Sequence, residues 1–430
     1  MTAHISRRSL LALAGAGTGA LLLGACGGDD SDDPNGQQTI NWWHIQNTDP
    51  MLPVWDAMAK EYQAAHSNVK IEIQPLENDA FKAKLTPATQ AGTPPDLFQS
   101  WGGGVLKQQV DAGLVKDITA DVQSWIGKLS PPAVEPYTID GKIYGIPFDA
   151  GMIGFWYNKD LFAKAGITAP PATWAELLTT VQKIKSAGVV PVALAGQAKW
   201  PGHYYWAYLA MRVGGTEIFQ SALKDGNFDL PEFVAAGQRL KELVDLAPFQ
   251  KGFLGAEYGT PDGQAATMGN GGAAMELMGQ WAPSVQASSS TNKKGIGDKL
   301  AFFPFPTVDG GKGQLTDAMG GGNGFAVGKD APPATVDFLK TLLDDANQRR
   351  EAETGAVLPT NKAAVDAIAD PNGKIVAERL ANATDFQLYL DQAFPPAVGQ
   401  QINDSVAELI AGRRSPEQIV KDITTVAKNQ

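Results

Sequence analysis

Residues 39–74 read TINWWHIQNTDPMLPVWDAMAKEYQAAHSNVKIEIQ, and the spacing of apolar side chains changes character twice within them. Thr39 to His44 is short, rich in β-branched and aromatic residues and followed by a polar loop, which predicts a strand. Met51 to His66 carries apolar residues at helical spacing, and Asn68 to Gln74 alternates apolar with polar positions as a second strand. Strand, helix and strand in direct succession predict a βαβ opening with two parallel strands.

The same alternation runs outward from this unit. Ala80 to Ala91 predicts a helix, Pro94 to Gln99 a short strand and Gly103 to Ala112 another helix, so a mainly parallel α/β sheet is expected. A second set of elements starts near Lys142 to Phe148. Strands are expected at Phe155 to Asn158, Val189 to Leu194 and Ala273 to Leu277. The helix from Thr173 to Ser186 should be capped by Thr173, with Glu176 completing a capping box. Further helices are predicted over 204–213, 232–246, 263–270, 332–346, 400–411 and 415–428.

The N-terminal end reads as an address rather than as part of a domain. Ser6-Arg7-Arg8-Ser9 precedes an apolar run to Leu23, and Leu23-Gly24-Ala25-Cys26 resembles the lipobox of bacterial lipoproteins, so residues 1–25 are expected to be a twin-arginine-like signal and Cys26 the lipidated residue. The apolar run is too short to span a bilayer comfortably. Gly27 to Gln37 is small, acidic and turn-forming, a flexible spacer reaching roughly 20 Å. Extracytoplasmic localisation on a lipid anchor follows.

Cys26 is the single cysteine, so no internal disulfide can form and burial must carry stability. The roughly 390 residues after Gln37 suit two lobes with substantial cores. Lys plus Arg number 35 against 46 Asp plus Glu, for a net charge of −11, and loss of Arg7 and Arg8 with the leader widens the acidic excess. That balance repels phosphate backbones, so no nucleic-acid partner is expected. The ten tryptophans in so acidic a chain matter more.

Several segments, in order, resemble the carbohydrate-binding proteins of ABC importers, the group that includes maltose- and xylo-oligosaccharide-binding proteins. They are Thr93-Pro-Pro-Asp-Leu-Phe98, Gly141-Lys-Ile-Tyr-Gly-Ile-Pro147, Phe155-Trp-Tyr-Asn-Lys-Asp-Leu-Phe162 with Pro170-Pro-Ala-Thr-Trp174, Met275-Glu-Leu-Met-Gly-Gln-Trp281, Phe303-Pro-Phe-Pro306, Gly320-Gly-Gly-Asn-Gly-Phe-Ala-Val327 and Val357-Leu-Pro-Thr360. The resemblance implies a two-lobed α/β fold of the type II periplasmic-binding kind, with the ligand in a cleft between lobes. It places the crossings near 148–154, 306–324 and 359–361, giving one lobe of 38–147 plus about 310–360 and another of 148–309 plus about 361–430. It implies capture of a di- or oligosaccharide, an ABC permease as membrane partner and action as a monomer. No cofactor or metal is expected: His4, His44, His66 and His203 are scattered, and Gly102-Gly103-Gly104 lacks the Lys-Ser/Thr of a phosphate loop.

Sugars offer hydroxyls in a ring of directions and a C–H face that prefers a flat partner, so aromatic planes with fixed amides and carboxylates make the site. Open α/β sheets bind ligands beyond the carboxyl ends of their strands. That rule selects Trp43, His44, Gln46 and Asn47 after the first strand, and Gln99 and Trp101 after the third. Trp42 and Trp43 face opposite sides, so one is core and Trp43 is favoured for ligand; His44 is either a buried residue or a ligand donor. In the aromatic cluster after Trp200, Tyr204 or Trp206 is left for the cleft. The resemblance adds Glu276 and Trp281, the latter as a stacking plane. At the crossings stand Asp149 and Gly321, Gly322 and Asn323. A surface glycosidase using Asp149 and Glu276, or a binder of peptides or polyamines, is the rival reading.

Overall fold

The computed structural model describes residues 36–430; the leader, Cys26 and the spacer up to Pro34 and Asn35 lie outside the described residues. The strand β1 (Gln38–His44) and β2 (Val69–Pro75) pair in parallel across the helix Met51–Ala65. Burial along β1 follows the period of two: Ile40, Trp42 and His44 are buried, while Thr39 and Asn41 are exposed. β3 (Leu97–Ser100) pairs in parallel with the other edge of β1. A hairpin of β4 (Thr138–Ile139) and β5 (Lys142–Ile143) leads to β6 (Gly145–Pro147).

Beyond β6 the chain changes sheets. β7 (Gly151–Met152) opens a second group with β8 (Gly154–Asn158), β9 (Met275–Met278), β10 (Leu300–Phe303) and β11 (Ala318–Gly321). β12 (Gly324–Val327) returns to the first sheet, and β13 (Phe386–Leu388) belongs again to the second group. The first sheet has the order β2-β1-β3-β12-β6, with β12 antiparallel to both neighbours. β8 runs antiparallel between β10 and β9, while β11 lies between β7 and β13.

Each group has its own core. Under the first sheet, Trp42 packs on Trp55, Phe325 and Phe338 with ring centroids 5.2 to 5.5 Å apart. Around the second, Phe155, Trp156, Tyr208 and Phe305 pack among helices that include Trp200–Gly214 and Pro396–Ile410. Each fully buried large apolar side chain contributes about 1.5 to 3 kcal/mol. The molecule is therefore two lobes, each with its own buried centre.

Three chain segments lie side by side where the lobes join. Phe148 and Asp149 donate backbone N–H groups to Asn323 O at 2.8 and 3.2 Å, and Ala150 N–H donates to Leu358 O at 3.0 Å. Gln348 staples the same region: its Nε2 donates to Phe148 O at 3.0 Å, and its Oε1 accepts from Thr360 N at 3.0 Å and Asn361 N at 3.1 Å. Two boundaries differ from expectation. Residues 310–321 pack on the second lobe, because Gly311 and Gly313 lie against Arg212 and β11 pairs with β7 and β13. The last crossing falls later than Asn361, since the turn Lys362–Ala367 packs back on the helix Asp345–Glu353 and the chain joins the second core for good at Ile368.

Two expected elements also differ. Val189 to Leu194 forms no strand: Pro191 removes a ladder donor, and only Val192 bridges, to Phe249 and Met275. The helix over 332–346 breaks into Ala334–Leu342 and Asp345–Glu353, because the Asp344 carboxylate accepts from Asn347 N at 2.8 Å and starts a new helix. Thr173 and Glu176 form the capping box their spacing predicts.

Candidate binding cleft

A cavity of about 1130 Å³, its open mouth included, lies between the lobes beside the crossings. Its first wall comes from the first lobe. The loop after β1 supplies Gln46, Asn47 and Thr48, the start of the helix Asn78–Gln90 after β2 supplies Glu77, Asn78 and Lys82, and Trp101 follows β3. All three pieces leave the carboxyl ends of adjacent strands, where a parallel sheet directs its loops toward a ligand.

The opposite wall is aromatic. Trp281 stands at the start of the helix Ala282–Ser289 and is half-buried, while Trp200, Tyr204, Tyr258 and Tyr389 are buried behind and around it. The rings close a circuit: Trp281 to Trp200 at 6.5 Å, Trp200 to Tyr204 at 5.7 Å, Tyr204 to Tyr389 at 5.7 Å and Tyr389 to Trp281 at 6.2 Å. Interlocked rings hold Trp281 in place with little rotamer freedom left to lose on binding. Beyond it, Ser284, Ser288 and Ser289 line the groove with hydroxyls.

At the base sits Asp149. Its carboxylate accepts from Asn323 N at 2.6 Å, from Asn323 Nδ2 at 2.9 and 3.0 Å and from Gln280 Nε2 at 3.2 Å. Burial raises its pKa to about 6 despite these donors. Gln280 belongs to the second lobe and Asn323 to a crossing, so Asp149 ties both lobes at the floor of the cleft. Asn323 is held from its other side by Gln99, whose Nε2 donates to its Oδ1 at 2.9 Å.

Of the residues expected at the site, Gln46, Asn47, Trp101, Asp149, Tyr204, Trp281 and Asn323 line this cavity. The others lie elsewhere, for identifiable reasons. Trp43 faces away from Trp42, and its ring is covered by Lys84 Nζ, 4.2 Å from the centroid. His44 is fully buried edge-on against Trp42 and Trp55 at 4.6 and 4.8 Å, and burial lowers its pKa to about 3, so it is a neutral core residue. Gln99 is fully buried and supports Asn323 from behind. Trp206 stacks on Phe233 at 5.3 Å and donates Nε1–H to Phe233 O at 3.1 Å inside the second core.

Glu276 is fully buried, accepting from Gln264 Nε2 at 2.9 Å and Gln286 Nε2 at 2.7 Å, and burial lifts its pKa to about 7. Gly321 and Gly322 are close-packed crossing positions: a Cβ would lie 2.5 Å from the Tyr389 ring at Gly321 and 2.2 Å from Asp149 O at Gly322. The run Gly102 to Gly104 serves lobe contact, because a Cβ at Gly103 would fall 2.5 Å from Gln392 O and one at Gly104 2.6 Å from Phe394 C. Lining residues absent from the expected set include Lys82, Tyr389 and Asp391. The strand-end rule applied to β2 points to Lys82; Tyr389 and Asp391 arrive through the pairing of β13 with β11 and carry no local marker.

Comparison with known proteins agrees with this architecture. A solved structure from a study of xylan utilization by the thermophilic bacterium Caldanaerobius polysaccharolyticus superposes with a TM-score of 0.83 at 30% sequence identity, covering 90% of this chain and 99% of that one. The diacetylchitobiose binding protein DasA of Streptomyces coelicolor is 27% identical over 379 residues, 83% of either chain. The chain spans about half the length of some other curated relatives it matches, among them an uncharacterized ABC transporter extracellular-binding protein of Pyrococcus horikoshii, 28% identical over 57% of this chain and 55% of that one. The fold is thus the two-lobed one of solute-binding proteins. The sequence profile of the bacterial extracellular solute-binding proteins matches residues 47–349, and with most of its length so matched the chain belongs to that family.

Proposed function

We propose that this protein captures a di- or oligosaccharide in the interlobe cleft and delivers it to the membrane subunits of an ABC importer. The observation that carries the proposal is the pairing of walls: an interlocked aromatic face around Trp281 opposite amides and charged groups on the first lobe. An indole covers the C–H face of a pyranose while amides and carboxylates meet its hydroxyls. DasA, by its name, binds diacetylchitobiose, and the study of the superposed structure concerns xylan use, which favours β-linked sugars here.

Capture proceeds by closure. A ligand touching both lobes binds the closed form better and draws the hinge equilibrium toward it. We take the lobes to be 38–147 with about 322–367, and 148–321 with about 368–430; most of their buried apolar side chains divide between two clusters in this way, while Phe148, Ala352 and Leu358 pack across the junction. Cys26, lipidated after export, would tether the protein at the outer face of the cell membrane through the acidic spacer, and the chain would act as a monomer. No helix among the described residues is long and apolar enough to cross a membrane.

Against the glycosidase reading, Glu276 is buried with both carboxylate oxygens held by glutamines and does not share the cavity with Asp149. A thermal-shift screen of mono- to tetrasaccharides tests the proposal, because a ligand bound by the folded state raises the unfolding temperature by mass action. Stabilisation by β-linked oligosaccharides without turnover is the expected result. Stabilisation by peptides or polyamines alone would replace the sugar reading.

A further inference from the structure

We infer that Lys82 and Asp391 form a charge-balanced clamp across the cleft that selects neutral sugars over those bearing a carboxylate or an ammonium group. The inference rests on the carbohydrate reading above and names the residues that set its charge preference.

Four charged side chains line the cavity: Glu77, Lys82, Asp149 and Asp391. Two are committed to the protein. Asp149 is saturated by Asn323 and Gln280, and Glu77 caps the helix that follows it, its Oε2 accepting from Asp79 N at 2.7 Å and Ala80 N at 3.3 Å. Lys82 and Asp391 have no such close partners. They face each other from opposite lobes with Nζ and Oδ2 4.0 Å apart, beyond hydrogen-bond contact. Lys82 Nζ lies 5.0 Å from the Trp101 ring, and Asp391 Oδ2 has one long contact, 3.5 Å, with Asn403 Nδ2.

Burial makes the pair consequential. The Asp391 side chain is only 9% exposed and that of Lys82 is 36% exposed. A sugar hydroxyl donates its proton to one partner and accepts from the other, so one hydroxyl or a neighbouring pair satisfies both ions with charge-assisted bonds. With the two ions 4.0 Å apart, a ligand carboxylate that met Lys82 would also stand against Asp391, and an ammonium that met Asp391 would also stand against Lys82. Either leaves like charges facing each other beside a carboxylate that is only 9% exposed, where such contacts are costly. Because one ion comes from each lobe and the two stand 4.0 Å apart, a hydroxyl bonded to both links the lobes at this point.

Calorimetric titration of the purified full-length protein with one skeleton in four forms tests this: cellobiose, N,N′-diacetylchitobiose, deacetylated chitobiose at mildly acidic pH, and cellobiouronic acid. Both neutral disaccharides should bind at least about tenfold more tightly than either charged one. Asp391→Asn should shift the uronate-to-neutral affinity ratio toward the uronate by about fivefold or more, and Lys82→Met should likewise shift the amine-to-neutral ratio toward the amine. Ratios within one variant are unaffected by a general loss of stability. Charged and neutral sugars binding equally, or ratios that fail to move in the two variants, would overturn the clamp while leaving sugar capture intact. If neither neutral disaccharide binds, the clamp as proposed falls, and the wider saccharide screen decides the carbohydrate reading separately.

Discussion

The two walls of the cleft are built on different principles. On the second lobe, five rings pack against one another and the exposed plane of Trp281 is braced from behind. The first lobe offers separate amides and charges on loops that leave three strand ends. An apolar plane gains from covering area and is indifferent to hydroxyl orientation, whereas fixed amides reward only the correct hydroxyl pattern. Affinity should therefore concentrate on the aromatic wall and discrimination on the polar one.

Mutations can break this division. Trp281→Ala should weaken oligosaccharide binding by about tenfold or more, as removal of a central aromatic anchor does, with the unfolding midpoint little changed; fluorescence titration against the parent protein measures it. Asn47→Ala should cost less, about threefold to tenfold, because a net neutral hydrogen bond contributes only about 0.5 to 1.5 kcal/mol. Its signature is selectivity: the ranking of epimeric disaccharides should compress, whereas Trp281→Ala should lower all of them together. Equal compression in both variants would erase the distinction between the walls.

What lies behind the walls gives the smallest effect, visible in stability alone. Behind the aromatic wall Glu276 has its pKa raised to about 7 by burial, and behind the polar wall Glu351, held by Trp55 Nε1 at 2.7 Å and by Gln348 Nε2, has its pKa raised to about 8 by the same cause. A carboxylate that holds its proton more tightly when folded stabilises fully below its unfolded value of 4.5, and that contribution is lost as pH rises through the folded value. His44 and His203, lowered by burial, act in the opposite sense, but only below about 6.5. Between pH 7 and 9 the unfolding midpoint should thus fall, and Glu351→Gln should flatten that slope more than Glu276→Gln does. Chemical-denaturation midpoints across this range would check it.

Much of this was legible in the residues. The βαβ opening, the capping box at Thr173 and the strand-end loops followed from spacing alone, and with them Gln46, Asn47 and Trp101. Asp149, Asn323 and Trp281 came from motif order. His44 was readable too, since the alternation that buries Ile40 and Trp42 buries the next residue of the same parity. Lys82 follows from extending the strand-end rule to β2. Tyr389 and Asp391 do not: they reach the cleft because β13 docks on β11, a contact spanning sixty-odd residues without periodicity or turn chemistry to announce it. Trp206 and Glu276 misled because a helix buried on every side and a strand buried on both faces show no partition between cleft and core.

Difference density from crystals soaked in xylo-oligosaccharides and N,N′-diacetylchitobiose tests the central claim most directly. The account predicts a sugar ring stacked on Trp281, its hydroxyls bonded to the Asn47 side of the first lobe and to Lys82 and Asp391. Density confined to the separate groove near Lys199 and Arg413 on the second lobe, with the interlobe cleft holding only solvent, would contradict it.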